Sequence, residues 1–450
     1  MELLTFRDQL FAEGEKLGFT DLELYYEKQS GFGCQIYKGE IDDYRSSTVN
    51  GVSVRGLYNG KMGYAYTEKL DEDSVSFLLD NIKENSSLIE DDPQDLFEGN
   101  TNYEKIDFYS TRLSEISIEE KIDFLKKVEK KIYDYDKRVV QTDYAAIQDQ
   151  LVEKALFNNK GLALQDRNNF LFVVFSVVVK ENDEIKSDFY FKLTKDLHSL
   201  NPEDIAKEAV EKSLSHLGGK SYSNKTYPVI LNNFAASSLL ATFSPSFSAK
   251  SVQDNQSRLK GKIDHKIASS VVTLVDNPHL PDGIRSGTFD SEGVPTKQLT
   301  IVEDGVLKTY FHNLKTANKD GVEPTGHGHK SSYKDSVGVS PSNFYVEPGN
   351  KSYEELYAGL EEGIIITSLA GLHSGANPIS GDFSLAADGF YVKDGKIVSP
   401  TNQMTIAGNF FELMQDIVDV GSDLIFSPMD SYGYIGSPSL TIKGLAVTVD

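Results

Sequence analysis

Three dipeptides constrain the fold most: Asn59-Gly60, Asp304-Gly305 and Asp394-Gly395, each set between runs of β-forming residues. Asn-Gly and Asp-Gly accept the positive φ angles that a two-residue hairpin turn requires, so each predicts an antiparallel strand pair. The first joins Val49–Leu57 to Gly63–Tyr66, and the last joins Phe390–Val392 to Ile397–Val398. Hairpins so far apart in sequence place antiparallel sheet in both halves of the chain.

Helices are expected between the strands. Leu3, Phe6, Leu10, Phe11 and Leu17 recur at helical spacing before Gly18, and residues 73 to 84 read the same way. Ser117 and Glu120 match a capping box, predicting a helix to about Tyr135. Another starts at Asn201-Pro202 and stops at Gly218-Gly219. Leu22–Tyr26 and Gln35–Tyr44 read as strands, as does much of 139 to 180. Within that stretch the β-branched run Phe170–Val179 suits a strand buried on both faces. Beyond the polar segment Ser221–Pro228 come a short strand at Val229–Leu231, a small-residue helix at Ala235–Phe243, and mostly strands, with one helix at Tyr353–Leu360. At 450 residues the chain exceeds the roughly 250 to 300 that one core supports. The expected architecture is α+β: an N-terminal α+β domain with an antiparallel sheet over residues 1–220, then a β-rich C-terminal domain over 221–450.

Composition narrows the function. A net charge of -23 repels phosphate backbones, so direct nucleic-acid binding is not expected. The amino-terminal residues form an amphipathic pattern rather than a secretory signal, and no apolar run reaches the length that spans a bilayer. A soluble, cytoplasmic protein without membrane contact is therefore expected. The single cysteine, Cys34, excludes an intramolecular disulfide and reads as a small buried hydrophobe. Glu90–Asp95 reads as a solvated acidic loop.

No histidine is followed by glutamate, and G-x-S-x-G, phosphate-loop and dinucleotide fingerprints are absent. His327-Gly328-His329 is the best metal candidate, since residues two apart on a strand share a face. A polar Gly-rich loop is the plainer reading of TGHGHKSS. His373-Ser374 reads as loop polarity; His198, His216, His265, His279 and His312 stand alone.

Several collinear blocks carry a resemblance: GTFDSEGVPTKQLTIVEDGVLKTYFHN at 287–313, PTGHGHKSS at 324–332, SGDFSLAADGFYVKDGKIVSPTNQMTIAGNFFEL at 380–413 and VGSDLIFSPMDSYGYIGSPSLTIKGLAV at 420–447. In these blocks the chain resembles the TldD/PmbA family, proteins once called modulators of DNA gyrase and understood as a two-subunit metalloprotease. The resemblance implies that a zinc-bearing subunit carries His-Glu-x-x-x-His after the run that here reads VILNNFAASSLL, and a cysteine near the C-terminus. At the matching positions stand Ala241, Thr242 and Ser246, and DSYGYIGS at 430–437 holds no cysteine. None is an ordinary zinc ligand, no general base remains, and Pro245 would break the ligand-bearing helix.

The chain thus looks like the PmbA (TldE) kind. The resemblance implies no cofactor in this chain, zinc in a TldD-like paralogue with which it forms a heterodimer, and an unfolded peptide as substrate. Asn377, Ser380, Gly381 and Asp382 would contact peptide backbone. Two alternatives stay open. One is a self-sufficient hydrolase using His327 and His329 with a carboxylate such as Asp335 or Asp382; the other is a homodimeric scaffold gripping extended peptide at open strand edges.

Overall fold

A computed structural model describes residues 1–88, 96–98, 102–427 and 433–449. The acidic run Glu90–Asp95 and residues 430–432 lie outside the described residues. The first half is one six-stranded antiparallel sheet: β1 (Asp21–Tyr37), β2 (Glu40–Tyr58), β3 (Lys61–Thr67), β4 (Val139–Asn158), β5 (Ala163–Glu181) and β6 (Glu184–Thr194), in the order β3-β2-β1-β4-β5-β6. Five helices accompany it: α1 (Leu3–Leu17), α2 (Glu72–Ser86), α3 (Thr111–Ser114), α4 (Ile118–Tyr135) and α5 (Pro202–Leu214). The capping box at Ser117 and Glu120 forms, and Asn201 caps α5 with Pro202 at its first position.

Alternation divides this sheet into two unlike faces. Leu22, Leu24, Val52 and Val54 pack on Phe6, Leu10, Val75 and Leu78 of α1 and α2. Further along the same face, Ile147, Val173, Phe175 and Val177 pack on Leu125, Val128, Ala209 and Val210 of α4 and α5. Cys34 belongs to this second cluster, as a buried hydrophobe. The intervening residues point to the opposite side and are largely polar: Glu23, Tyr25, Glu27, Ser53, Arg55, Gln148, Gln150 and Lys154. In β5, Leu171 to Val179 are fully buried at every second position, whereas Phe170, Phe172 and Ser176 on the other face are half-buried.

One strand boundary differs from expectation. Gln35–Tyr44 is not a single strand but the end of β1 and the start of β2, turning at Lys38-Gly39 with φ of 52° and 80°. The buried Glu129 carboxylate of α4 holds that turn, accepting the amides of Lys38 at 2.9 Å and Gly39 at 2.7 Å and the hydroxyl of Thr142 at 2.8 Å.

The second half holds strands β7 (Lys225–Leu231), β8 (Leu274–Asp276), β9 (Leu299–Glu303), β10 (Val306–Leu307), β11 (Gly328–His329), β12 (Gly338–Val339), β13 (Asn343–Val346), β14 (Glu362–Ala370), β15 (Asp382–Lys393), β16 (Lys396–Pro400), β17 (Met404–Asn409), β18 (Ile417–Val420), β19 (Ile425–Ser427), β20 (Tyr434–Ser437) and β21 (Leu440–Val449). One sheet runs β14-β7-β21-β17-β15-β16, with β18 on β21, and β14 also pairs with β15, so five strands close into a ring. The second sheet runs β10-β9-β8-β13-β20-β19, and among the described residues β11 pairs only with β12. Helix α6 (Asn233–Phe243) lies between the sheets, touching β14, β19 and β20, and its apolar side chains join both into one core. Asn59-Gly60, Asp304-Gly305 and Asp394-Gly395 all form hairpin turns with positive φ at both residues. The fold is α+β, with the helix-covered antiparallel sheet first and the strand-rich region second.

Candidate functional site

The polar face of the first sheet meets loops of the second half across a cleft of about 690 Å³. Its walls are β1, β4 and β5 on one side and residues near Arg285, Ser291, His327 and Ser342 on the other. Next to it, charged side chains are buried and paired across the two halves. Arg55 of β2 grips Glu23 of β1 through Nε at 2.6 Å and Nη2 at 3.0 Å, while its Nη1 reaches Glu292 at 3.0 Å. Glu292 is fully buried, and its other oxygen accepts the Leu314 amide at 2.7 Å. Burial pulls the guanidinium pKa down, but the two carboxylates outweigh that and keep Arg55 firmly charged. Burial raises Glu23 despite Arg55.

Lys330 enters the same cluster from the second half. Its ammonium donates to Ser53 Oγ at 2.8 Å and lies 5.0 Å and 4.8 Å from the ring centres of Tyr25 and Tyr64. Burial lowers its pKa to about 7, with Glu23 opposing. Asp290 moves the other way, raised to about 8 by burial and by the Glu292 charge, although it accepts amides from Glu292, Val294 and Gly328. A lysine and a carboxylic acid are both brought close to neutrality within one cleft.

Each histidine of the His-Gly-His motif has its own protein partner. His327 is buried, with Nε2 3.1 Å from Asp276, Nδ1 2.8 Å from Thr325 Oγ1 and its ring against Phe311. His329 Nε2 accepts from Arg285 Nη1 at 3.0 Å; burial, then the charges of Arg285 and Lys154, hold it neutral. Among the described residues, no three His, Cys, Asp or Glu side chains are grouped to hold a metal ion. Asp335 lies exposed, accepting from the Ser332 hydroxyl, and His373 is exposed on a four-residue helix.

The remaining predicted residues gather at a second place. α6 ends at Phe243, and Pro245 opens a 3-10 turn over Ser244–Phe247. Ala241 is fully buried, Thr242 returns its hydroxyl to Ser238 O at 2.9 Å, and Ser246 donates to Pro378 O at 3.0 Å. These side chains do not fit a zinc ion. The Ser246 bond brings the 377–382 loop against the positions matched to the family's ligands. That loop is internally braced: Asn377 Oδ1 accepts the Ile379 and Ser380 amides, and Asn409 donates to Ser380 O and Asp382. Gly381 has φ of +85°, and a Cβ there would sit 2.5 Å from the Phe411 ring. Asn377 and Asp382 remain exposed at its tip, and none of the four residues lines the cleft.

Sequence reasoning missed Arg55, Glu23, Glu292 and Lys330. The available signal was the alternation Leu22-Glu23-Leu24-Tyr25, which puts an acid on a face that β1 must cover.

Models of three successive domains match the chain: PmbA/TldA metallopeptidase domain 1 over residues 22–86, the central domain over 111–217, and the C-terminal domain over 224–449. The chain belongs to the TldD/PmbA metallopeptidase family. Among this family, an uncharacterised protein of Methanocaldococcus jannaschii is 26% identical over 97% of this chain and 98% of its own length. Metalloprotease PmbA of Escherichia coli is 24% identical over 94% and 92%. The crystal structure of a proposed modulator of a DNA gyrase from Thermotoga maritima superposes with a TM-score of 0.92 at 33% identity, covering 99% of this chain and all of that one. TldE of Thermococcus kodakarensis shares the fold at 24% identity and a TM-score of 0.90, covering 98% and 100%. No described helix is long and apolar enough to cross a membrane.

Proposed function

We propose that this TldD/PmbA family member is the subunit without zinc of a two-chain peptidase, pairing in the cytoplasm with a zinc-bearing paralogue that cuts unfolded peptides. The observation that carries this reading is the set Ala241, Thr242 and Ser246, whose polar atoms are engaged with backbone and whose helix stops before the third position. The exposed tip of the 377–382 loop, braced against Ser246, then forms part of the wall along which peptide lies. Asn377 and Asp382 offer an amide and a carboxylate to its backbone, while Ser380 and Gly381 shape the turn.

Co-expression with a paralogue from the same genome that retains His-Glu-x-x-x-His tests it. The expected result is a stable complex containing zinc and degrading an unfolded peptide, with neither zinc nor proteolysis in this chain purified alone. Failure to associate, or a zinc-loaded and active single chain, overturns it. Asp382→Ala is expected to lower proteolysis by the pair without preventing assembly; unchanged proteolysis reduces the loop to scaffold.

A homodimeric peptide-binding scaffold is the second reading. Residues 40–51 of β2 lie beyond the reach of β3 and have no strand on that outer side among the described residues, leaving an edge open for strand addition.

A further inference from the structure

On the polar face of the first sheet, Lys154 of β4 stands between its register partners Glu27 of β1 and Asp166 of β5. Neither carboxylate is paired with it. Glu27 accepts from the Tyr25 hydroxyl at 2.7 Å and the Gln29 amide at 2.8 Å, and Asp166 accepts the amides of Arg167 at 2.8 Å and Thr288 at 3.2 Å. Among the described residues the Lys154 ammonium has no hydrogen bond or ion pair, and burial lowers its pKa. Arg285, on the opposite wall, spends Nη1 on His329, while Nε and Nη2 have no acceptor among the described residues.

Lys154 and Arg285 are both half-buried on the walls of one cleft and keep unspent N–H donors, so an anion entering the cleft can accept from both. Glu27 and Asp166 flank Lys154 and attract it through space, but their oxygens are engaged by Tyr25, Gln29, Arg167 and Thr288, and neither bonds to Lys154 or Arg285. His329 is neutral, and Asp290, titrating at about 8, carries little charge at neutral pH. Alongside the cations, Val152, Phe170, Phe172 and Ile284 give the cleft an apolar lining. Polar anchors beside apolar walls suit a short peptide that ends in a carboxylate.

We propose that the cleft between the two halves binds the free C-terminal carboxylate of a short apolar peptide, with Lys154 and Arg285 as its charged anchors. This rests on the reading of the chain as part of a peptide-handling enzyme, and it adds a second contact, apart from the 377–382 loop, that holds the peptide by its C-terminal end.

The test is titration calorimetry on the purified chain with three probes: an acetylated Val-Leu-Phe peptide with a free C-terminus, the same peptide amidated, and inorganic phosphate. The free acid is expected to bind and the amide to bind at least about tenfold more weakly, the order expected for losing a charge-assisted hydrogen bond. Lys154→Met and Arg285→Gln are each expected to weaken the free acid by about tenfold or more with an unchanged circular dichroism spectrum. Equal binding of acid and amide, or no binding of either, overturns the proposal, and both arms use the unaltered protein. Phosphate binding without peptide binding also overturns it, in favour of a free-anion site. Because the assay needs no partner chain, its failure leaves the pairing reading intact, and failure to pair leaves this one intact.

Discussion

Removing the guanidinium of Arg55 would strand the Glu23 and Glu292 carboxylates inside the protein. Breaking a buried ion pair from one side costs about 3–5 kcal/mol, far more than the pair is worth against an apolar replacement. Arg55→Met is therefore expected to lower the urea-unfolding free energy by about that amount, and adding Glu23→Gln should recover part of it; a loss below about 1 kcal/mol contradicts the buried pairing described here. Lys330 gives the same cluster a pH dependence. Its folded pKa of about 7 lies below the ordinary lysine value of 10.5, so between these values the unfolded chain binds more protons. Its contribution is present in full above about pH 10.5 and is lost as pH falls through about 7. The unfolding free energy of the wild type relative to Lys330→Met should rise across that window, and a flat difference would mean the amine is not buried.

Elements differ in how far local residues specify them. Asn59-Gly60, Asp304-Gly305 and Asp394-Gly395 were legible because the positive φ that each turn needs is a property of those residues themselves. The turn at Lys38-Gly39 was not, because the carboxylate that holds it belongs to Glu129, about 90 residues further on. For the same reason the loop at the α6 end could be matched to a family motif, whereas alternation in β1 marked only Glu23 of the Arg55 cluster and not its partners. Its members lie on β1, β2 and two later loops, and only the register of the sheet brings them together. The contact of β2 with the second half is testable at Gly51, where a Cβ would stand 2.3 Å from the Tyr333 ring. Tyr333 O accepts the Tyr64 hydroxyl at 2.6 Å, and the Tyr333 hydroxyl donates to Glu68 at 2.7 Å, so its loop is seated on β3 and the turn after it. Gly51→Val should cost about 1–3 kcal/mol, as overpacking does, and speed tryptic cleavage after Lys334; an unchanged digestion rate would show that the ring moves aside freely.

For the whole molecule, the decisive division is between the two faces of the first sheet. Its apolar face is consumed by helices α1 to α5, which leaves the polar face to meet the second half and form the cleft. The ring of the second half adds a constraint in time rather than in space. β7 lies between β14 and β21, and β21 also carries β17 and β18, yet roughly 210 residues separate β7 from β21 along the chain. At about 5–20 residues per second a ribosome needs about 10 to 40 s to make that interval, during which β7 has an open edge and the core around α6 has a missing wall. Ribosome-bound chains halted before Leu440 should therefore show a protease-resistant first half and a sensitive second half, with resistance appearing only after β21 has emerged. A second half already resistant in the halted chains would mean that β21 completes the ring rather than nucleating its closure.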